Sequence, residues 1–272
     1  MPEGHVIHRL ADGLTERFGG RTVRVSSPQG RFADEAALLD GDVLNGAEAY
    51  GKHLFLDFGP DRVVHIHLGL IGKLWLLDGP PTSPAGLDTL RLLIARDIHR
   101  AELRGPQWCR LITDEARDEV MAKAGDDPIR PECTGEKAWA KISRSGRSIA
   151  SLLMDQAVTA GVGNIYRAEV LFRHRINPFK EGRTISRRTW NAVWADLVVL
   201  LRLGVRDGRI DTVRDEHMPE AMGRDPRVDR HGGEVYVYRR AGLPCLVCGT
   251  PVRTQVLEGR NLYWCPRCQR RR

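Results

Sequence analysis

Cys245-Leu246-Val247-Cys248 and, sixteen residues further on, Cys265-Pro266-Arg267-Cys268 decide how the end of this chain folds. The C-x2-C-x16-C-x2-C spacing matches a structural zinc site with four thiolate ligands. In a reducing compartment disulfides explain it less well. Between the cysteine pairs, residues 252–257 and 262–264 are strand-like. Glu258-Gly259-Arg260-Asn261 makes the turn, so Arg260 projects from the tip of a hairpin. A module of this size has too little core to fold alone. One bound zinc ion, worth about 10–16 kcal/mol in such peptides, is expected to hold it. The other two thiols, Cys109 and Cys133, stand alone and read as buried or incidental.

Outward from the hairpin, the charge is uneven. The chain has 272 residues and a formal net charge of +7. From Arg239 to Arg272 eight arginines face one acid, Glu258. That concentration favours a polyanionic partner such as nucleic acid. A hydrophobic content of 42% supports a real core, yet no run of 18 apolar residues marks a membrane span. The start lacks the basic-then-apolar pattern of a signal peptide, so a cytoplasmic protein is expected.

The other end opens Met1-Pro2-Glu3-Gly4. Removal of Met1 leaves Pro2 with a free secondary amine. An α-amino group has a pKa of about 8, against about 10.4 for lysine, so roughly several hundredfold more of it is neutral at pH 7. Attack on a sugar aldehyde carbon gives an iminium ion, which keeps its charge and acts as an electron sink. Glu3 stands beside it, placed to move protons. Ile7, Leu10, Leu14 and Phe18 then fall at helical spacing, up to Gly19-Gly20. Pro2 and Glu3 are expected at the start of this helix, where its dipole keeps Glu3 ionised and lowers the amine's pKa.

Between these ends the pattern changes twice. Short β runs are expected at 22–26, 43–50, 53–58, 63–68, 73–77, 90–95 and 108–113, several alternating with period two. They predict an antiparallel sandwich or barrel. Lys52 sits at a strand start in Tyr50-Gly51-Lys52-His53. His65 and His67, at i and i+2, share one face of a strand, an arrangement that suits a metal if a third ligand joins them; none is evident nearby. Helices are expected at 117–124, 136–143, 147–156, from Asn164 to Phe172, and 186–205. In Gly161-Val162-Gly163-Asn164 the glycines permit tight turns and Asn164 is a good N-cap. The exposed amides of such a helix start favour a phosphate. Residues 207–233, polar and glycine-containing, read as a flexible linker.

Four separated motifs, in this order, resemble the formamidopyrimidine-DNA glycosylase and endonuclease VIII family over essentially the whole chain. They are Pro2-Glu3-Gly4, Tyr50-Gly51-Lys52, Gly161-Val162-Gly163-Asn164-Ile165-Tyr166, and the zinc hairpin with Gly259-Arg260. The resemblance implies an α+β multidomain fold: a β-sandwich with a leading helix (1–115), a helix–two-turns–helix domain (116–232) and a four-cysteine zinc finger (233–272). It also implies a monomer bound to damaged double-stranded DNA. Pro2 would attack C1′, Glu3 would be its acid–base partner, and Lys52 would be the acid in β-elimination and touch a phosphate. Asn164 and Arg260 would grip the phosphates flanking the lesion, with Arg260 also tied to δ-elimination. Leu70 would fill the space left by the flipped base.

The expected activity is a bifunctional DNA glycosylase and abasic-site lyase of base excision repair that prefers oxidised pyrimidines. Two features point to pyrimidines. The purine-specific branch carries an Arg-Arg-Phe-Gly loop where this chain reads His99-Arg100-Ala101-Glu102-Leu103-Arg104-Gly105. It also carries a lysine fourteen residues before the loop asparagine, where this chain has Ala150. Against them, Leu70 resembles the apolar wedge of the purine branch, so an oxidised-purine glycosylase is the alternative. A zinc-dependent DNA-binding protein that has lost catalysis is another. Intact Pro2, Glu3 and Lys52 speak against it.

Overall fold

The computed structural model describes residues 2–79, 87–228 and 233–270. The chain divides into two compact units, residues 1–123 and 124–272.

The first unit opens with α1 (Gly4–Phe18). Ile7, Ala11, Leu14 and Phe18 lie on its buried face, as their spacing requires. The strands follow: β1 (Arg21–Thr22), β2 (Arg24–Ser26), β3 (Val43–Leu44), β4 (Gly46–Tyr50), β5 (His53–Asp57), β6 (Val63–His67), β7 (Lys73–Asp78), β8 (Leu90–Arg96), β9 (His99–Arg104) and β10 (Trp108–Ile112). The short helix α2 (Ala33–Leu39) falls between β2 and β3. Two four-stranded antiparallel sheets form, ordered β10-β6-β5-β4 and β2-β8-β9-β7. Their facing side chains make one core with α1, including Leu54, Leu56, Val64, Ile66, Leu92, Ile94 and Leu103. This is the expected sandwich. Register follows the apolar alternation: Leu54 opposes Ile66 and Leu56 opposes Val64. Gly13 lets α1 come close to β7, since a Cβ there would lie 2.6 Å from Leu76 Cδ1. The α2 helix and β9 were not foreseen. In β9 four of the six residues are charged or histidine, which hid the strand from an apolar count.

Helix α3 (Asp114–Lys123) ends the first unit and buries none of its side chains. The expected boundary at 115 falls within this helix, which lies in the first compact unit. The second compact unit runs from 124 to 272, across the expected boundary at 232. One apolar cluster runs from Ala138 through Val235–Tyr238 to Leu262, Tyr263 and Trp264.

The second unit contains α4 (Glu136–Ile142), α5 (Ile149–Met154), α6 (Asn164–Arg173), α7 (Arg187–Asp207), α8 (Pro219–Met222) and the hairpin β11 (Arg253–Leu257) with β12 (Arg260–Trp264). Helix α6 packs against α5, α7 and β12, and the longest helix, α7, buries Trp190, Val193, Trp194, Leu197, Leu200 and Leu201. Ser186 caps it, accepting from the Thr189 amide. The α5–α6 connection carries the two turns. Gln156 holds it with both ends of its amide, donating to Met154 O and Val162 O and accepting from Gly161 N. The reading of 207–233 as a flexible linker needs correction. Ile210 and Thr212 are buried, Arg173 donates to Thr212 O, and the segment contains α8. Ile210 and Val213 pack with the apolar cluster, and polar side chains such as Arg224 are bonded. Residues 229–232 of that stretch lie outside the described residues.

Candidate active site and nucleic-acid interface

In the first unit, Pro2 is half-buried and Glu3 is the residue immediately before α1. The Glu3 side chain is only 3% exposed. Its carbonyl accepts from Val6 N at 3.0 Å, starting the helix. Burial of a carboxylate at the positive end of a helix, next to Pro2, is what a fixed acid–base group requires. Met1 lies outside the described residues.

Lys52 stands in the tight turn between β4 and β5, where Tyr50 opposes His53. Gly51 supplies the positive φ, +58°, that this two-residue turn needs at its first position. A wall of rings backs the turn. His67 Nδ1 donates to Lys52 O at 2.9 Å, which fixes the backbone of the lysine. His53 Nδ1 lies 2.9 Å from His65 Nε2, and Trp108 stacks on His67 with centroids 4.6 Å apart. Burial lowers the pKa of His53 to about 4 and of His65 to about 3, so both rings are neutral at pH 7. His53 is thus the third histidine that the i, i+2 pair seemed to lack. Ring nitrogens of the three are engaged with one another and with Lys52 O. Among the described residues only the four hairpin cysteines group as metal ligands.

Leu70 sits in the loop between β6 and β7 and is 65% exposed; its neighbour Ile71 is 79% exposed. Gly69, with φ +66°, and the Gly72 N to Leu68 O bond of 3.0 Å shape this loop. Two adjacent apolar side chains held out in water form a wedge-like tip. The sequence reading singled out Leu70 and did not consider Ile71. The stretch from His99 to Arg104 is strand β9, tied by Glu102, whose carboxylate accepts from Arg100 Nε and Arg104 Nη2.

In the second unit, Asn164 is the first residue of α6 and Gly163 occupies the cap position. The expectation of Asn164 as N-cap is corrected here: its side chain is used elsewhere. Nδ2 donates to Asn261 O at 2.9 Å and Oδ1 accepts from Arg167 Nη2. Asn164 therefore reaches the zinc hairpin one residue from Arg260. The hairpin turns through Glu258 (φ +48°) and Gly259 (φ +72°), and Arg260 opposes Leu257. Positive φ at both central residues matches the twist of the flanking strands. Arg147 adds a second tie, to Asp155 at 2.8 Å and to Glu258 at 3.4 Å. The start of α6 and the hairpin turn that carries Arg260 are thus tied together.

Glu169 anchors the base of this arrangement. It is fully buried, and one carboxylate oxygen accepts from Tyr236 N (2.7 Å) and Thr212 Oγ1 (2.6 Å). The other accepts from Val237 N and Tyr238 N, each at 2.9 Å. Four donors satisfy the buried charge and fix the segment leading into the hairpin. The sequence reading missed Glu169. Its signal was a carboxylate inside the apolar run 165–172 of a helix.

The cysteines fit a zinc ion. The four sulfurs lie within 4.8 Å of one another. Cys245 and Cys268 sulfurs are 3.9 Å apart, and those of Cys248 and Cys265 3.5 Å. A tetrahedral zinc with bonds of about 2.3 Å places sulfurs about 3.8 Å apart. The protein holds one structural zinc through these four thiolates.

Family models agree with this anatomy. Residues 1–107 match the formamidopyrimidine-DNA glycosylase N-terminal domain, 124–215 its H2TH domain, and 242–271 the zinc finger found in FPG and IleRS. "Endonuclease 8 1" of Mycobacterium tuberculosis is 49% identical over 276 residues, covering 99% of this chain and all of that one. The formamidopyrimidine-DNA glycosylase of Aromatoleum aromaticum is 35% identical over 284 residues, covering both chains fully. The MutM (Fpg) structure from Thermus thermophilus superposes with a TM-score of 0.75 at 26% identity, over 98% of each chain. Lactococcus lactis Fpg bound to DNA with an abasic site has a TM-score of 0.77 at 22% identity, over 99% of this chain and all of that one, and shows the shared fold.

Sandwich, helix–two-turns–helix and zinc hairpin define a DNA glycosylase with abasic-site lyase activity, working in base excision repair. The chain belongs to the formamidopyrimidine-DNA glycosylase and endonuclease VIII family, and its relative at 49% identity supports the endonuclease VIII branch. Among the described residues no helix is long and apolar enough to cross a membrane.

Proposed function

We propose that Pro2, freed of Met1, is the nucleophile of this glycosylase and lyase. Its nitrogen attacks C1′ of the damaged nucleotide, forming the N–C1′ bond as the glycosidic bond breaks and the base leaves with a proton. Glu3 carries the proton traffic at the sugar. The sugar ring then opens: the nitrogen lone pair forms the C=N bond as the C1′–O4′ bond breaks and O4′ takes a proton. The resulting iminium acidifies the C2′ protons, and loss of one expels the 3′ phosphate by β-elimination. Lys52 assists as acid and touches a phosphate. Asn164 and Arg260 grip the phosphates beside the lesion, Arg260 also serving δ-elimination, and Leu70 fills the space of the flipped base. The partner is damaged double-stranded DNA, the protein a monomer in the cytoplasm. The observation that carries this reading is Glu3, a carboxylate 3% exposed beside Pro2 at the start of α1.

The test is borohydride trapping on a duplex with one abasic site. The adduct is expected on the N-terminal peptide. Trapping that persists in protein retaining Met1 would refute the role of the amine.

We further propose a preference for oxidised pyrimidines such as thymine glycol and dihydrouracil over 8-oxoguanine. Two features support it. Ala150 is fully buried in α5, so that position offers no cation to the lesion strand. The stretch from His99 to Arg104 is a strand and supplies no wedging loop. Leu70 alone favours the purine reading. Single-turnover excision from matched duplexes decides between them: faster release of 8-oxoguanine opposite cytosine overturns the pyrimidine preference.

A further inference from the structure

The two ends of α6 face different chemistry. Its N-terminal end carries Asn164. Its C-terminal end closes in a paired turn, with Ile176 N donating to Leu171 O and Arg175 N to Phe172 O, each at 2.9 Å. This motif places the residue after the cap in the left-handed region, normally a glycine. Here it is Arg175, at φ +53°. A side chain in that conformation costs about 1 kcal/mol or more, and such an outlier calls for a functional reason.

Arg175 lines a cleft of about 720 Å³ together with Lys180, Arg267 and Arg270. No carboxylate lines it. None of the four cations has a carboxylate partner among the described residues, whereas eight other arginines of this unit do. Ser186 and Thr189, at the start of α7, complete one wall. The first turn of that 21-residue helix has no acid, so its positive end is not offset by its own sequence. Four like charges gathered in a concave surface with a helix start concentrate anions there. No Phe, Tyr or Trp lines the cleft, so it offers no aromatic platform for a base.

The cleft is separate from the Asn164–Arg260 end. Ten residues of α6, about 15 Å, lie between Asn164 and Arg173. On the hairpin, Arg260 and Asn261 lie at the turn, while Val247, Cys248, Arg267 and Cys268 line the cleft from the cysteine end. The five residues of β12 span about 17 Å.

We propose that this cleft is a second phosphate site, taking a multiply charged phosphate ligand. Its two sources are the backbone of a nucleic-acid strand other than the one at Asn164 and Arg260, and a free oligophosphate.

The test uses full-length, zinc-loaded protein and two probes, tripolyphosphate by calorimetry and labelled oligothymidylate by anisotropy. The oligothymidylate arm is run in an Arg260→Ala background, so the first site does not mask the second. The cleft variant combines Arg175→Gly, Arg267→Gln and Arg270→Gln. Glycine at 175 suits the left-handed turn, so the fold is retained while the charge is lost. A control variant, Arg202→Gln with Arg206→Gln and Arg209→Gln, removes the same charge near the far end of α7, about 30 Å along that helix. The cleft variant is expected to bind at least one probe about tenfold more weakly or worse. The control should stay within about twofold, since distant exposed charges are screened. Both variants should keep zinc and cleave a short abasic duplex at the parental rate. Weakening for tripolyphosphate alone identifies the free anion; weakening that includes oligothymidylate identifies the strand backbone. Parental binding of both probes by the cleft variant, equal weakening in the control, or no binding of either probe by the parent overturns the proposal.

Discussion

The two ends of the chain are docked by different physics. Helix α1 lies on the sandwich through Ile7, Leu14 and Phe18, all at most 1% exposed, and its position is set by apolar fit. The zinc hairpin adds directional bonds to its apolar contacts. Asn164 holds Asn261 O, and Gln269 donates to Ile176 O while accepting from Cys265 N, each at 2.9 Å. Glu169 pins residues 236–238 ahead of it. A long helix has enough apolar area to be placed by burial. A short hairpin does not, and it gains position from bonds that tolerate little displacement, with metal supplying the stability.

The sharpest way to break this comparison is Cys248→Ser. Loss of zinc removes a contribution of about 10 kcal/mol or more, so hairpin protection and DNA binding should vanish. Hydrogen exchange in α1 should be unchanged; exposure of α1 amides as well would mean the two ends are not independently held. The converse variant is Phe18→Ala, expected to destabilise the first unit by about 3–5 kcal/mol in urea while zinc content stays at one per chain. Zinc loss in that variant would join what the comparison separates.

Glu169→Gln tests the polar pins alone. Replacing a carboxylate oxygen by an amide group sets donor against donor, costing about 1–3 kcal/mol. Zinc should stay bound while exchange at residues 236–238 quickens. Unchanged exchange there would show that apolar packing places the hairpin after all. The smallest effect concerns the ring wall behind Lys52. Burial holds His65 at about 3 and His53 at about 4, below the ordinary 6.5. The unfolded chain takes up protons below pH 6.5 that these folded rings refuse. Their contribution is therefore full above pH 6.5 and declines as pH falls towards 4. His65→Phe should lessen the fall of Tm across that window by a few degrees. A Tm profile parallel to the parent's would remove the histidines from the acid response.

What the sequence made legible follows from what repeats along it. The face of α1, the alternation in β5 and β6 and the cysteine spacing are local patterns, and each predicted its element. The contacts that build the candidate site are not local. Asn164 and Asn261 are 97 residues apart, and Glu169 meets Tyr236 across 67. Neither pairing leaves a period to read. For the same reason His53 went unnoticed as the partner of His65. The 207–233 stretch looked unstructured because its order comes from charged side chains bonded at a distance, such as Arg224 to Glu234.

The order of synthesis gives the first unit a clock. The unit comprises the first 123 of 272 residues, so it can close while more than half of the chain is still to be made. At about 5–20 residues per second, that leaves on the order of ten seconds between the emergence of Pro2 and completion of the unit. Afterwards the terminus adjoins a carboxylate that is 3% exposed. Under the proposed mechanism, exposing the reactive amine is then a matter of timing on the ribosome. That mechanism requires a peptidase to trim Met1 from the nascent chain, before α1 settles onto the sheets.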